Sequence, residues 1–96
     1  MPTDFTDAKN PVAADGSETI HVKVYSPFKT YFDGFAKSVS AENDTGPFDI
    51  LPHHHNFLSL LNPCDLVIQS AQEQKMRINR GILLVRSNDV TVFLDV

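Results

Sequence analysis

Ile20, Val22 and Val24 alternate with His21, Lys23 and Tyr25, a period of two that predicts a β-strand with one buried face. Pro27 ends this run, since proline has no N–H for a ladder. Asp33-Gly34 reads as a turn between Tyr31 and Phe35, and Phe35, Lys37 and Val39 then alternate with Ala36, Ser38 and Ser40 as far as Ala41, which predicts a hairpin. The run Glu42-Asn43-Asp44-Thr45-Gly46-Pro47 reads as a loop, with Pro47 breaking any pairing before Phe48 to Leu51 resumes a strand. Asn56 to Leu61 is apolar at Phe57, Leu58, Leu60 and Leu61, a run whose shortness favours strand over helix. Leu66 to Ile68 open a strand that turns near Ala71 to Gln74 and returns through Lys75 to Ile78. Gly81 reads as a bend, and Ile82 to Val85 and Val90 to Leu94 flank Ser87-Asn88-Asp89, the strongest hairpin signal in the chain.

Short β-type runs separated by turn signals at close intervals predict an all-β fold, a single β-sandwich or flattened barrel of about eight to ten short strands. The expected body is residues 20–96. Residues 1–19 hold Pro2, Pro11 and Gly16 among small polar side chains, with few large apolar ones, and read as a mobile, disordered N-terminal tail. The functional alternative for that tail is a docking peptide centred on Phe5.

Charge sharpens the division. The formal net charge is -4, yet the tail holds Asp4, Asp7, Asp15 and Glu18 against Lys9, which leaves the rest nearly neutral. The eight Lys and Arg residues form no basic stripe, so nucleic acid is not an expected partner. Cys64 is the single cysteine, which rules out an intrachain disulfide and a disulfide-stapled scaffold. No apolar run reaches the roughly 18 residues of a membrane span, so direct membrane insertion is not expected.

The candidate chemistry is thin. His53 and His55 fall on one face of an extended segment and are spaced to chelate zinc, nickel or copper, but a third ligand is missing, the next acids being Asp65 and Glu73. The expectation is no metal and no cofactor, with a metal-binding β-sandwich as the rival reading. Ser59 and Cys64 lie near the histidines in sequence without an orienting partner or an oxyanion site, and Gly16, Gly34, Gly46 and Gly81 form no phosphate-binding loop. No catalytic residue is expected.

The stretch TGPFDILPHHHNFLSLLNPC, Thr45 to Cys64, followed by RGILLVRSNDVTVFLDV, Arg80 to Val96, resembles the N-terminal domain of the epsilon subunit of rotary F-type ATP synthases. Gly46, Ile50, Pro52, His54, Leu58 and Pro63 fall on that family's characteristic positions. Val24-Tyr25-Ser26, Phe32-Asp33-Gly34, Gly81-Ile82-Leu83 and Asn88-Asp89-Val90-Thr91-Val92 match further elements in order. Pro47 stands where the family often has an acid, Asp49, His53 and Cys64 where it has glycines, and His55-Asn56 where it has Ala-Pro. The resemblance runs from about residue 20 to Val96, and members usually continue into two C-terminal helices that carry inhibition and, in some, nucleotide binding. Neither activity is expected of these 96 residues.

The resemblance implies a non-catalytic rotor subunit of the central stalk, coupling ion transport to ATP synthesis by adhesion to two partners, the gamma subunit and the c-subunit ring. By position it assigns Ser26, His54 and Leu58 to the gamma side and Asn43, Asp44, Thr45, Gly46, Pro47 and Phe48 to the c ring. It implies a peripheral location at the cytoplasmic face of the energy-transducing membrane. An unrelated β-sandwich adaptor is the remaining alternative. Phe48 and Phe57 are each expected to be ordinary core before they are interface anchors.

Overall fold

The computed structural model describes residues 12, 13 and 16–95. Most of the tail expected over residues 1–19, Phe5 included, lies outside the described residues. Among the described residues there are nine strands: β1 Ile20–Tyr25, β2 Thr30–Ala36, β3 Ser38–Asn43, β4 Gly46–Ile50, β5 Phe57–Leu61, β6 Cys64–Gln69, β7 Glu73–Ile78, β8 Gly81–Arg86 and β9 Asp89–Leu94. They form a five-stranded sheet in the order β2-β1-β9-β8-β5 and a four-stranded sheet in the order β4-β3-β6-β7. Every pairing is antiparallel except β1 with β9, which runs parallel from His21 opposite Asp89 to Tyr25 opposite Phe93. The fold is the all-β sandwich that the alternation predicts.

The core follows from the period of two. Ile20, Val22 and Val24 of β1, Val39 of β3, Ile50 of β4, Leu66 and Ile68 of β6, Leu83 and Val85 of β8, and Val90 and Val92 of β9 are all buried between the sheets. Phe48, Phe57 and Met76 pack on its margin, with the Phe48 and Phe57 rings edge to face at 5.6 Å. Both phenylalanines thus serve the core margin, as expected. No helix among the described residues is long and apolar enough to cross a membrane.

Several local expectations are corrected. Asp33-Gly34 is not a turn: Asp33 pairs with Lys23 and Gly34 with Val22 inside β2. The turn comes earlier, where the Ser26 hydroxyl accepts the N–H groups of Phe28 and Lys29 and Ser26 N–H donates to the Lys29 carbonyl. The alternating run Phe35 to Ala41 is likewise two strands in two sheets, broken at Lys37, so that Ala36 and Val39 are buried while Phe35 faces out. A corner where a chain switches sheets breaks the face-to-face alternation that a single strand would keep.

Pro47 does not break pairing, because β4 is an edge strand and proline's missing N–H is tolerated there. The loop from Glu42 to Pro47 shrinks to the two residues Asp44 and Thr45, with Asn43 opposite Gly46. The Asn43 side-chain carbonyl takes the Thr45 N–H at 2.8 Å, and Gly46 completes the reversal at φ 125, an angle that needs glycine. Gly81 is required by space more than by bending: a Cβ there would sit 2.9 Å from the Phe93 carbonyl oxygen on the neighbouring strand β9. Finally, Gln74 already belongs to β7, which leaves Ser70 to Gln72 as the turn.

Candidate functional site

The five-stranded sheet carries an apolar outer face at its β5 edge. Leu58 and Leu60 of β5 are 67% and 72% exposed, and directly across the ladder stand Leu84 and Ile82 of β8, also exposed. Next in line, Phe93 of β9 lies opposite Ile82 and packs edge to face on Tyr25 at 5.2 Å. Four neighbouring exposed aliphatic side chains on one sheet form a contiguous patch, which marks an interaction surface more than scattered apolar residues do. The outer face of the other sheet has the opposite chemistry: Ser40 donates to Asp49 at 2.6 Å, and Arg77 lies 3.6 Å from Asp65.

Only Leu58 was singled out from the sequence; Leu60, Ile82 and Leu84 were not. A signal for them existed. Both Phe57-Leu58-Ser59-Leu60-Leu61 and Gly81-Ile82-Leu83-Leu84-Val85 are apolar at odd and even positions alike, and a strand with apolar residues of both parities has two faces to cover.

The hairpin of β3 and β4 brings Asn43 to Phe48 together at one tip, with Asp44, Thr45 and Pro47 exposed. It is fastened to β5 and the residue beyond it. Asn43 Nδ2 donates to Ser59 Oγ at 3.0 Å, Asn62 Nδ2 donates to Asp44 Oδ1 at 2.9 Å, and Asn62 N–H donates to the Glu42 carbonyl at 3.0 Å.

Ser26, His54 and Leu58 are not gathered into one cluster. Ser26 is buried in its turn beyond Tyr25, whose row across the sheet runs through Phe93, Ile82 and Leu60. His54 lies at the other end of the strands, before Phe57, whose row runs through Val85 and Val90. Leu58 faces out between them.

The histidine loop is a turn closed by His54 N–H on the Leu51 carbonyl at 3.1 Å. Pro52 holds its second position and His53, at φ 68, its third, the arrangement of a type II turn. His53, in a position where the resembled family has glycine, keeps the left-handed angle without being glycine, whereas Asp49 lies in extended β4 where no such angle is needed. His53 donates its N–H to Asn88 Oδ1 and its ring meets the Glu18 carboxylate, while His54 and His55 stack on each other at 4.4 Å and lean on Phe57. His53 and His55 therefore have separate partners, and among the described residues no group of three His, Cys, Asp or Glu side chains converges as a metal site.

His21 holds one carboxylate on each ring nitrogen, Asp89 at 2.9 Å from Nδ1 and Asp33 at 2.8 Å from Nε2, which ties β1 to both of its neighbours. The Asp89 hydrogen bond raises its pKa, partial burial opposes this, and the Asp33 bond adds to the rise. The two nucleophile-type side chains are occupied: Ser59 is buried against Asn43, and burial pushes the Cys64 thiol up, away from the reactive thiolate.

The family model "ATP synthase, Delta/Epsilon chain, beta-sandwich domain" matches residues 19–96. The ATP synthase epsilon chain of Clostridium novyi is 30% identical over 82% of this chain and 62% of its own length. That of Acidithiobacillus ferridurans is 36% identical over 80% of this chain and 55% of its own. The chain thus spans less than two thirds of these relatives. In fold it is similar to a chain of the Tetrahymena thermophila mitochondrial ATP synthase central stalk and c ring, with TM-score 0.68 and 22% identity over 81% of this chain and 64% of that one. A chain of the Euglena gracilis mitochondrial ATP synthase is similar too, with TM-score 0.74 and 14% identity over 98% of this chain and 64% of that one.

Proposed function

From the premise that this chain belongs to the ATP synthase delta/epsilon family, whose β-sandwich domain spans residues 19–96, we propose that it is a non-catalytic subunit of the rotor of an F-type ATP synthase. It works by adhesion. In this reading the chain docks on the gamma subunit and on the c-subunit ring, and it couples ion transport to ATP synthesis as a stiff connector between them. A close-packed sandwich suits the task, since interiors at crystal-like density yield little under load.

The observation that carries the reading is the family match over the whole described body; the exposed row of Leu58, Leu60, Ile82 and Leu84 supports a gamma-facing surface that includes Leu58. Ser26 and His54 belong to the proposed gamma side by position, Ser26 through the turn it shapes and His54 through the loop at the far end. The tip Asn43, Asp44, Thr45, Gly46, Pro47 and Phe48 is the proposed contact for the polar loops of the c ring. In this reading the subunit lies peripherally, at the cytoplasmic face of the energy-transducing membrane, as part of the ATP synthase complex. Residues 1–19 are proposed as a tail that precedes the sandwich.

Co-expression with the cognate gamma subunit tests the proposal. A stoichiometric gamma complex on purification is the expected outcome, and absence of association at micromolar concentrations overturns it.

A further inference from the structure

We infer that β5 is a shared strut between two docking surfaces, and that Asn43 and Asn62 are positioning residues that latch the β3–β4 tip onto it. The inference rests on the proposed function for the identity of the two partners, but the latch itself is a property of this chain. Outward, β5 presents Leu58 and Leu60, the most exposed members of the apolar row. Inward, the same five residues hold the tip: Phe57 packs its ring on Phe48, and Ser59 receives the Asn43 amide. Asn62, next after β5, supplies both a side-chain bond to Asp44 and a backbone bond to Glu42.

The arrangement matters because β4 and β5 are edge strands of different sheets, with no ladder between them. Without cross-links, a two-residue hairpin at a sheet edge would swing with respect to the opposite sheet. The Asn43 side chain closes that freedom from both ends: its carbonyl fixes the Thr45 amide within the turn while its amide reaches Ser59 on the other sheet. A force applied to Asp44 or Thr45 therefore passes into β5 through hydrogen bonds and one aromatic contact, without crossing the core. Load taken at the tip reaches the Leu58 and Leu60 surface over the width of a single strand.

The test is hydrogen exchange of the intact chain, with gamma binding measured beside it. Removing one such bond changes local opening by roughly tenfold, so Asn62→Ala should speed exchange at the Thr45, Gly46 and Phe48 amides by about tenfold, and Asn43→Ala, which removes two bonds, should speed Gly46 and Phe48 by at least as much. Amides of β8 and β9 should be unaffected. A reversed pair, Asn62→Asp with Asp44→Asn, should restore slow exchange at the tip, because donor and acceptor merely change places. In the assembled synthase, Asn62→Ala should lower ATP-driven ion pumping per ATP hydrolysed, and the reversed pair should recover it.

Unchanged exchange at the tip in both alanine variants overturns the latch. So does faster exchange spread evenly over β8 and β9, which would mean general destabilisation. Wild-type failure to bind gamma would instead overturn the rotor reading and leave the exchange result standing on its own.

Discussion

At the scale of single residues, His21 is held between two carboxylates. Both of its ring nitrogens face carboxylates, an arrangement in which only the protonated imidazolium donates twice. The Asp89 bond is the main cause of its raised pKa, with burial opposing and Asp33 adding. A raised folded-state value means that the folded protein holds this proton more tightly than the unfolded chain. The resulting stabilisation is complete below the ordinary 6.5 and is lost as pH climbs through the folded value above it. The charged groups facing the ring are Asp33 on β2 and Asp89 on β9, with Lys23 next along the same face and Arg86 opposite Asp89. Thermal melting followed from pH 5.5 to 8.5 should show the melting temperature falling on the alkaline side, and His21→Gln should remove that fall. An equal slope in the variant would show that other groups carry it.

At the scale of elements, the strands were legible and the joints between them less so. A period of two is local, so β1 emerges directly from Ile20-x-Val22-x-Val24, while β8 and β9 emerge from the two apolar runs around the Ser87-Asn88 turn. The corner at Lys37 was not legible, because Phe35 to Ala41 alternates smoothly in sequence while its two halves serve different sheets. Asp33-Gly34 misled for a related reason: a turn dipeptide sets a preference, and pairing to Lys23 and Val22 on β1 overrode it. The proposed site was legible only in part, since Leu58 is visible as one member of a run, whereas the row needs β8 beside β5.

The Pro52-His53 turn gives a prediction at this scale. His53 occupies φ 68, where a side chain crowds the backbone and glycine does not, while its exposed contact with Glu18 contributes little. Glycine also widens the unfolded ensemble, which offsets part of the relief. His53→Gly should therefore raise stability by a few tenths to about 1 kcal/mol in urea denaturation. A loss of stability would mean that the Glu18 contact, and not the turn, sets the balance there.

At the scale of the whole molecule, the two outer faces divide the work. The four-stranded sheet turns Ser40, Asp49, Asp65 and Arg77 outward in polar pairs, a face at home in water. The five-stranded sheet turns Leu58, Leu60, Ile82 and Leu84 outward at its β5 side, where nothing in the fold requires them. Core residues are constrained by packing, but these side chains touch no interior, so their replacement separates adhesion from folding. Leu58→Thr and Leu60→Thr keep residues that favour strands and should each leave stability within about 0.5 kcal/mol of the parent. If the row meets gamma, each loses the burial of a leucine, and binding should weaken by about tenfold or more per substitution. Calorimetry of the two variants with gamma, alongside their melting curves, measures both quantities. Full affinity with unchanged melting would place gamma on some other surface of the sandwich, whereas a large drop in melting temperature would show that the leucines belong to the folded body after all.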